Sequence, residues 1–179
     1  MSLRGRWARG LIGAGTALAA CAVLTGTAHA AAYQEVRNYN SSKCLDVMSE
    51  DGYYSDGARV QQYHCTGVAE QHWNVKPVNQ DGNGETVYVL ISRRSGKCMT
   101  VFRDARFAGA QVVQGACRGH IDLGGAAGEL WYKRTNSHGP TLVNYGSGLC
   151  LDISGASKND HAKVQVYWCN DSSAQAFTA

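Results

Sequence analysis

Short runs in which apolar and polar residues alternate cover much of the chain beyond residue 30: YQEV (33–36), CLDV (44–47), VQQY (60–63), YVLI (88–91), VVQ (112–114), TLV (141–143) and VQVY (164–167). A period of two places successive side chains on opposite faces of a strand. Turn-forming residues separate the runs, and no stretch sustains a helical period. Short strands at regular spacing, in a chain with 21 glycines and only 2 prolines, predict an all-β barrel or sandwich.

A longer period overlies this alternation. The segments K-C-L-D-V (43–47), V-Q-Q-Y-H-C (60–65) and Q-H-W (71–73) return as K-C-M-T-V (97–101), V-V-Q-G-A-C (112–117) and E-L-W (129–131). They return again as C-L-D-I (150–153), V-Q-V-Y-W-C (164–169) and Q-A-F (175–177). The leading cysteines stand 54 residues apart from 44 to 98 and 52 from 98 to 150, so the fold must contain three equivalent units. Glycine-rich connectors at 79–85 and 135–140 put the units at about 33–80, 81–136 and 137–179. Three such units, none able to bury its apolar face alone, close around a pseudo-threefold axis. The residue after each leading cysteine (Leu45, Met99, Leu151) and the closing aromatic (Trp73, Trp131, Phe177) are the expected shared core.

The first 30 residues have a different character. Arg4, Arg6 and Arg9 precede an apolar run at 11–24 and the small-residue site Ala28-His29-Ala30, the layout of an export signal cleaved after Ala30. The run is shorter than the roughly 20 apolar residues that span a bilayer. Leu18-Ala19-Ala20-Cys21 resembles a lipoprotein signal, which makes anchoring through Cys21 the lesser alternative to release. Without the three leader arginines the 17 basic residues fall to 14 and match the 14 acidic ones. A neutral domain lacks the basic excess that nucleic acid or an anionic membrane calls for. Of 7 cysteines, 6 lie beyond the leader, and the repeat pairs them as Cys44 with Cys65, Cys98 with Cys117 and Cys150 with Cys169. Each bridge closes a loop of about 20 residues, worth on the order of 3 kcal/mol by chain entropy. There is no C-x-x-C pair to suggest zinc.

These C-L-D-like segments, cysteine spacings and Q-x-W-like endings resemble the ricin-type β-trefoil lectins and the trefoil carbohydrate-binding modules of secreted bacterial glycoside hydrolases. The resemblance spans nearly all of 33–179 and implies a β-trefoil with a shallow sugar site in each unit that keeps the motif. In that family the Asp after C-L accepts sugar hydroxyls, while a Gln and an aromatic two residues apart bond to and stack on the ring. The Gln of Q-x-W buttresses the Asp, and an Asn usually precedes it. Carried over, the first unit has Asp46, Gln61, Tyr63 and Gln71, with Glu70 in the Asn position. The third has Asp152, Gln165, Tyr167 and Gln175, with Ala174 in the Asn position. The middle unit has Thr100, Val113, Gly115 and Glu129 at these places and a longer loop at 118–128, so no sugar site of this kind is expected there. The chemistry stands without the family: a carboxylate accepts adjacent hydroxyls, and an aromatic face covers the C–H face of a sugar. Tyr63 and Tyr167 lie an odd number of positions from Val60 and Val164, so they face away from the core these valines enter.

Enzymatic signatures are lacking. The six histidines show no metal-ligand spacing, there is no G-x-S-x-G, and no cofactor is expected. Asp46 and Asp152 fall in different units and do not flank one glycosidic bond at the roughly 5–10 Å a glycosidase uses. The expected protein is a secreted, non-catalytic, monomeric carbohydrate binder. The alternative is a trefoil interaction protein, a protease inhibitor or toxin delivery subunit, with degenerate sugar sites and the 118–128 loop as its working surface.

Overall fold

A computed structural model of the protein describes residues 32–118 and 127–179. The expected leader, with Cys21, and most of the middle unit's long loop lie outside the described residues. Eleven antiparallel strands appear: β1 (Tyr33–Glu35), β2 (Cys44–Val47), β3 (Val60–Tyr63), β4 (His72–Gln80), β5 (Thr86–Ser92), β6 (Cys98–Val101), β7 (Ala110–Gly115), β8 (Trp131–Asn136), β9 (Gly139–Asn144), β10 (Cys150–Ile153) and β11 (Ala162–Tyr167). Short 3-10 turns join some of them, and the described residues form no α-helix.

Two sets of strands divide the work. β4 pairs with β1 and β5, β5 with β8, and β8 with β9. A bridge from Asn38 to Phe177 brings the chain end back to its start. The other set is three hairpins, β2–β3, β6–β7 and β10–β11, each built around one copy of the C-L-D-like segment. The hairpins meet in a ring: β11 pairs with both β3 and β7, and Arg59 bridges to Val113. This is the β-trefoil expected from the repeats, with its three disulfides joining Cys44 to Cys65, Cys98 to Cys117 and Cys150 to Cys169.

Alternation along the sequence did not reveal β4 and β8. Of HWNVKPVNQ in β4 only Trp73 is buried, and the pairing register slips between Pro77 and Asn79. A strand that buries one residue in nine carries no period-two signal. The connectors at 79–85 and 135–140 contain the turns of hairpins β4–β5 and β8–β9, so each expected unit limit falls at a hairpin tip.

All six expected core residues, Leu45, Met99, Leu151, Trp73, Trp131 and Phe177, are fully buried. They pack in one cluster with Val36, Val47, Val60, Leu90, Val112, Leu142 and Val164. The indole Nε1 of Trp73 donates to the Leu45 carbonyl at 3.0 Å, and that of Trp131 to the Met99 carbonyl at 3.3 Å. Each closing tryptophan is thus tied to the strand that follows its unit's leading cysteine. Phe177 fills the same place without a donor.

Six residues before each leading cysteine stand Asn38, Ser92 and Asn144, all buried. The Asn144 amide donates to the carbonyls of Ala127, Gly128 and Leu130, and that of Asn38 to Ser173, Ala174 and Ala176. Each asparagine therefore clamps the end of the preceding unit. Ser92 is too short for this, and its buried hydroxyl has no hydrogen-bond partner among the described residues. Orphaning a buried acceptor costs about 1–3 kcal/mol. Asn144→Ala is therefore expected to lower stability by about 2–3 kcal/mol, whereas Ser92→Ala leaves it unchanged or raises it slightly. Chemical denaturation of the two variants checks the contrast.

Candidate functional site

In each hairpin the residue after the buried Leu or Met points to the other face. In β2–β3 Asp46 lies opposite Gln61 and Cys44 opposite Tyr63, and in β10–β11 Asp152 lies opposite Gln165 and Cys150 opposite Tyr167. Antiparallel pairing therefore sets the acid, the amide and the phenol on one outward face. The cross-strand pairs make short contacts: Gln61 Nε2 donates to Asp46 Oδ1 at 2.9 Å, and Gln165 Nε2 to Asp152 Oδ1 at 2.9 Å. The second oxygen is held from the unit's closing turn, by Gln71 Nε2 at 3.0 Å and Gln175 Nε2 at 3.1 Å. Those two amides also donate to the carbonyls of His64 and Trp168, and their oxygens accept backbone N–H groups from Thr66 and Asn170. Gln71 and Gln175 are thus fixed supports, not rim groups.

The acids are deeper than a surface reading suggests, with 6 % and 5 % exposure for Asp46 and Asp152. Asp152 forms the floor of an open depression of about 480 Å³ lined also by Ser154, Gly155, Gln165, Tyr167, Asn170 and Ala174. Tyr167, 40 % exposed, is its aromatic wall, and the neighbouring Trp168 is exposed beside it. In the first unit Glu70 is half-buried near Asp46, and Tyr53 stands beside both acids. Tyr63 is half-buried, between the rings of His64 at 4.3 Å and of His161 at 5.0 Å. The Nδ1 of His161 lies 2.9 Å from Gln61 Oε1.

The middle hairpin pairs Thr100 with Val113 and Cys98 with Gly115, leaving a depression of about 370 Å³ with neither acid nor phenol at the matching positions. Its carboxylate comes from elsewhere. Asp104 takes two hydrogen bonds from Arg118, at 2.6 and 2.7 Å, and one from the Gly128 N–H at 2.9 Å. A Cβ at Gly128 would come within 2.2 Å of Asp104 Oδ1, so a side chain there would displace the carboxylate. Glu129, at the place of Gln71 and Gln175, is buried and accepts the Arg118 N–H at 3.2 Å.

A family model for the ricin-type beta-trefoil lectin domain matches residues 32–177. The chain belongs to the ricin-type β-trefoil lectin family. Among solved structures it is similar to a designed threefold-symmetric protein, ThreeFoil, at 31 % identity over 81 % of this chain and 95 % of that one, with a TM-score of 0.69. It shares the fold of the Rhizoctonia solani agglutinin (19 % identity, 83 % and 93 % coverage, TM-score 0.67). It also shares that of the Macrolepiota procera ricin B-like lectin in complex with lactose (16 % identity, 83 % and 94 % coverage, TM-score 0.64).

Within this ricin-type frame, sequence reasoning missed Tyr53, Asn170 and His161. Tyr53 stands four residues before Gly57, where the other repeats have Ala105 and Ser157, so no recurring aromatic marks the position. Asn170 is reached only through the closing turn that Gln175 organises. His161 belongs to a different repeat from the site it touches, yet a signal existed: H-A-K-V (161–164) aligns with G-A-R-V (57–60) and G-A-Q-V (109–112).

Burial pushes the Asp46 and Asp152 carboxyls above the usual 3.8. The paired glutamine amides pull the other way, while Glu70 and Glu50 push Asp46 further up. A carboxyl with a raised folded value stabilises the fold in acid, and that contribution is lost as pH rises through the folded value. Asp160 is the contrast, held down to about 2 by its bonds to Lys43 and His64. Carboxyl-carbon NMR titration is expected to place the midpoints of Asp46 and Asp152 above 3.8 and that of Asp160 at about 2. A midpoint for either site acid below 3.8 contradicts this account of the floor.

Proposed function

We propose that the protein is a secreted, non-catalytic lectin that binds polysaccharide or cell-surface glycan through two shallow sites. Asp46, Gln61 and Tyr63 form the first, with Glu70 as an added acceptor at its rim, and Asp152, Gln165 and Tyr167 form the second. The observation that carries this reading is the Asp152 floor beneath an exposed Tyr167. One carboxylate oxygen takes Gln165 and the other Gln175, which leaves one lone pair on each directed to a pair of hydroxyls. The phenol ring supplies the apolar face against which a pyranose packs.

Three further features support the proposal. The glutamines orient the acids without neutralising them, as a preorganised acceptor requires. In the middle unit the two carboxylates that line the depression are each matched by a cation, Asp104 by Arg118 and Asp56 by Lys97, whereas Asp46 and Asp152 are held by neutral amides. The lining of the Asp152 depression holds a single carboxylate, where glycoside hydrolysis uses a pair. The 1–30 leader and three disulfides favour export, with release after Ala30 preferred over anchoring through Cys21.

Single sites this shallow bind with dissociation constants of roughly 0.1–10 mM and gain from ligands that engage both. The lactose bound by the Macrolepiota relative makes a galactose-terminated saccharide the first to test, beside xylose- and arabinose-based polysaccharides. Asp46→Ala combined with Asp152→Ala is expected to abolish retention on a polysaccharide column that holds the wild type. Each replacement removes a desolvated charge but takes one acceptor from each of two glutamine amides, of which Gln71 and Gln175 keep the His64 and Trp168 carbonyls, a net cost of about 1–2 kcal/mol. The double variant therefore stays folded, as circular dichroism will show, and retention by it discards both sites.

A further inference from the structure

The three hairpins are contacted at one equivalent point by a backbone N–H from the preceding repeat, the third repeat closing the ring onto the first. Gly57 donates to the Gln114 carbonyl at 2.8 Å, Gly109 to Val166 at 2.8 Å and His161 to Gln62 at 2.9 Å. All three residues have positive φ, 84°, 91° and 64°, the left-handed region where glycine is at ease and other residues are strained. Two repeats use glycine, and the third uses histidine. A side chain at Gly109 would approach Gln165 Oε1, whose distance from a built Cβ is 3.9 Å. At the matching place in the first site, His161 meets Gln61 Oε1 at 2.9 Å.

The strain is held in place by the first repeat. Gln62 Nε2 donates to the carbonyls of Ser157 and Asn159, and Asp160 accepts from Lys43 Nζ at 2.6 Å and from the His64 N–H at 2.8 Å. A strained backbone persists only where its surroundings over-determine it, and such positions gather at functional sites.

Resting on the lectin reading above, we infer that His161 is a ligand-contacting residue of the first site, which is a composite of the first and third repeats, and that it sets a saccharide preference different from that of the second site. Gln61 Nε2 is committed to Asp46 Oδ1, so the atom facing His161 is an acceptor and Nδ1–H is the donor. In the neutral ring Nε2 is then an acceptor on an exposed imidazole that packs against Tyr63 and is linked to Asp46 through Gln61. The first site thus presents acceptors from Asp46, Glu70 and His161 Nε2, and it favours a sugar with an additional hydroxyl donor toward the third repeat. At the second site Gly109 leaves that position open. His161 also confines the Tyr63 ring from one side, at 5.0 Å and 58°, which narrows the stacking face.

The test isolates each site in the mature chain: Asp152→Ala leaves the first, and Asp46→Ala leaves the second. Titration with methyl β-galactopyranoside and methyl β-xylopyranoside gives the affinity of each. His161→Gly, which installs the residue used by the other two repeats, is expected to weaken the first site about 3- to 10-fold for its better ligand. It is expected to leave the second site unchanged and not to lower the thermal midpoint. An unchanged first site that Asp46→Ala still abolishes overturns the role of His161 and spares the lectin reading. Binding indifferent to Asp46→Ala and Asp152→Ala, or no binding of either glycoside by the wild type, counts against both. Imidazole nitrogen NMR of the wild type is independent of any variant: protonated Nδ1 and an Nε2 signal that moves with the glycoside support the proposal, and protonated Nε2 overturns it.

Discussion

The structure depends on one packing constraint, the burial of Leu45, Met99 and Leu151 against Trp73, Trp131 and Phe177 around the pseudo-threefold axis. A strand that turns one residue into this core must turn the next one out, and the outward residue is Asp46, Thr100 or Asp152. The strand opposite follows the same rule, so Gln61 and Gln165 face their acids and Tyr63 and Tyr167 follow two residues on. Core and site are two faces of the same short hairpins. Shifting the register by one residue would bury the acids in the apolar cluster and expose the leucines.

The acids are nearly buried, and that has a cost and a use. Desolvation raises their proton affinity, and two amide donors on each hold the charged form in place. The result is a carboxylate whose remaining lone pairs have fixed directions, on a scaffold already closed by three disulfides. The three repeats differ in how they treat this arrangement. The third leaves its depression open beside Tyr167, while the first crowds Tyr63 with His64 and His161. The middle repeat has moved its carboxylate to Asp104 and matched it with Arg118. The same backbone therefore carries three different surfaces.

The threefold repeat, the disulfide pairing, the six core positions and the strands of the three hairpins were legible because each leaves a local, recurring signal. Strands β4 and β8 were not, since they bury few side chains and one carries Pro77 at a register slip. The support that Gln71 and Gln175 give was implied by the family motif they open, while the residues alone left support and ligand contact equally open. The depth of Asp46 and Asp152 was not, because alternation gives the side of a strand and not the height of the walls around it. The Asn38 and Asn144 clamps and the reach of His161 involve neighbouring repeats, where contact depends on the closure of the ring of hairpins. Only alignment of the repeats against one another, at Asn38, Ser92 and Asn144 or at Gly57, Gly109 and His161, exposes them.

The most direct test of this account is a crystal of residues 31–179 soaked in a saccharide that they bind in solution. The account predicts a sugar ring over Tyr167 with two hydroxyls on Asp152, a second ring at Asp46, and none at the Thr100 position of the middle repeat. A sugar bound in the middle depression, or on any surface that leaves both Asp46 and Asp152 untouched, would contradict it.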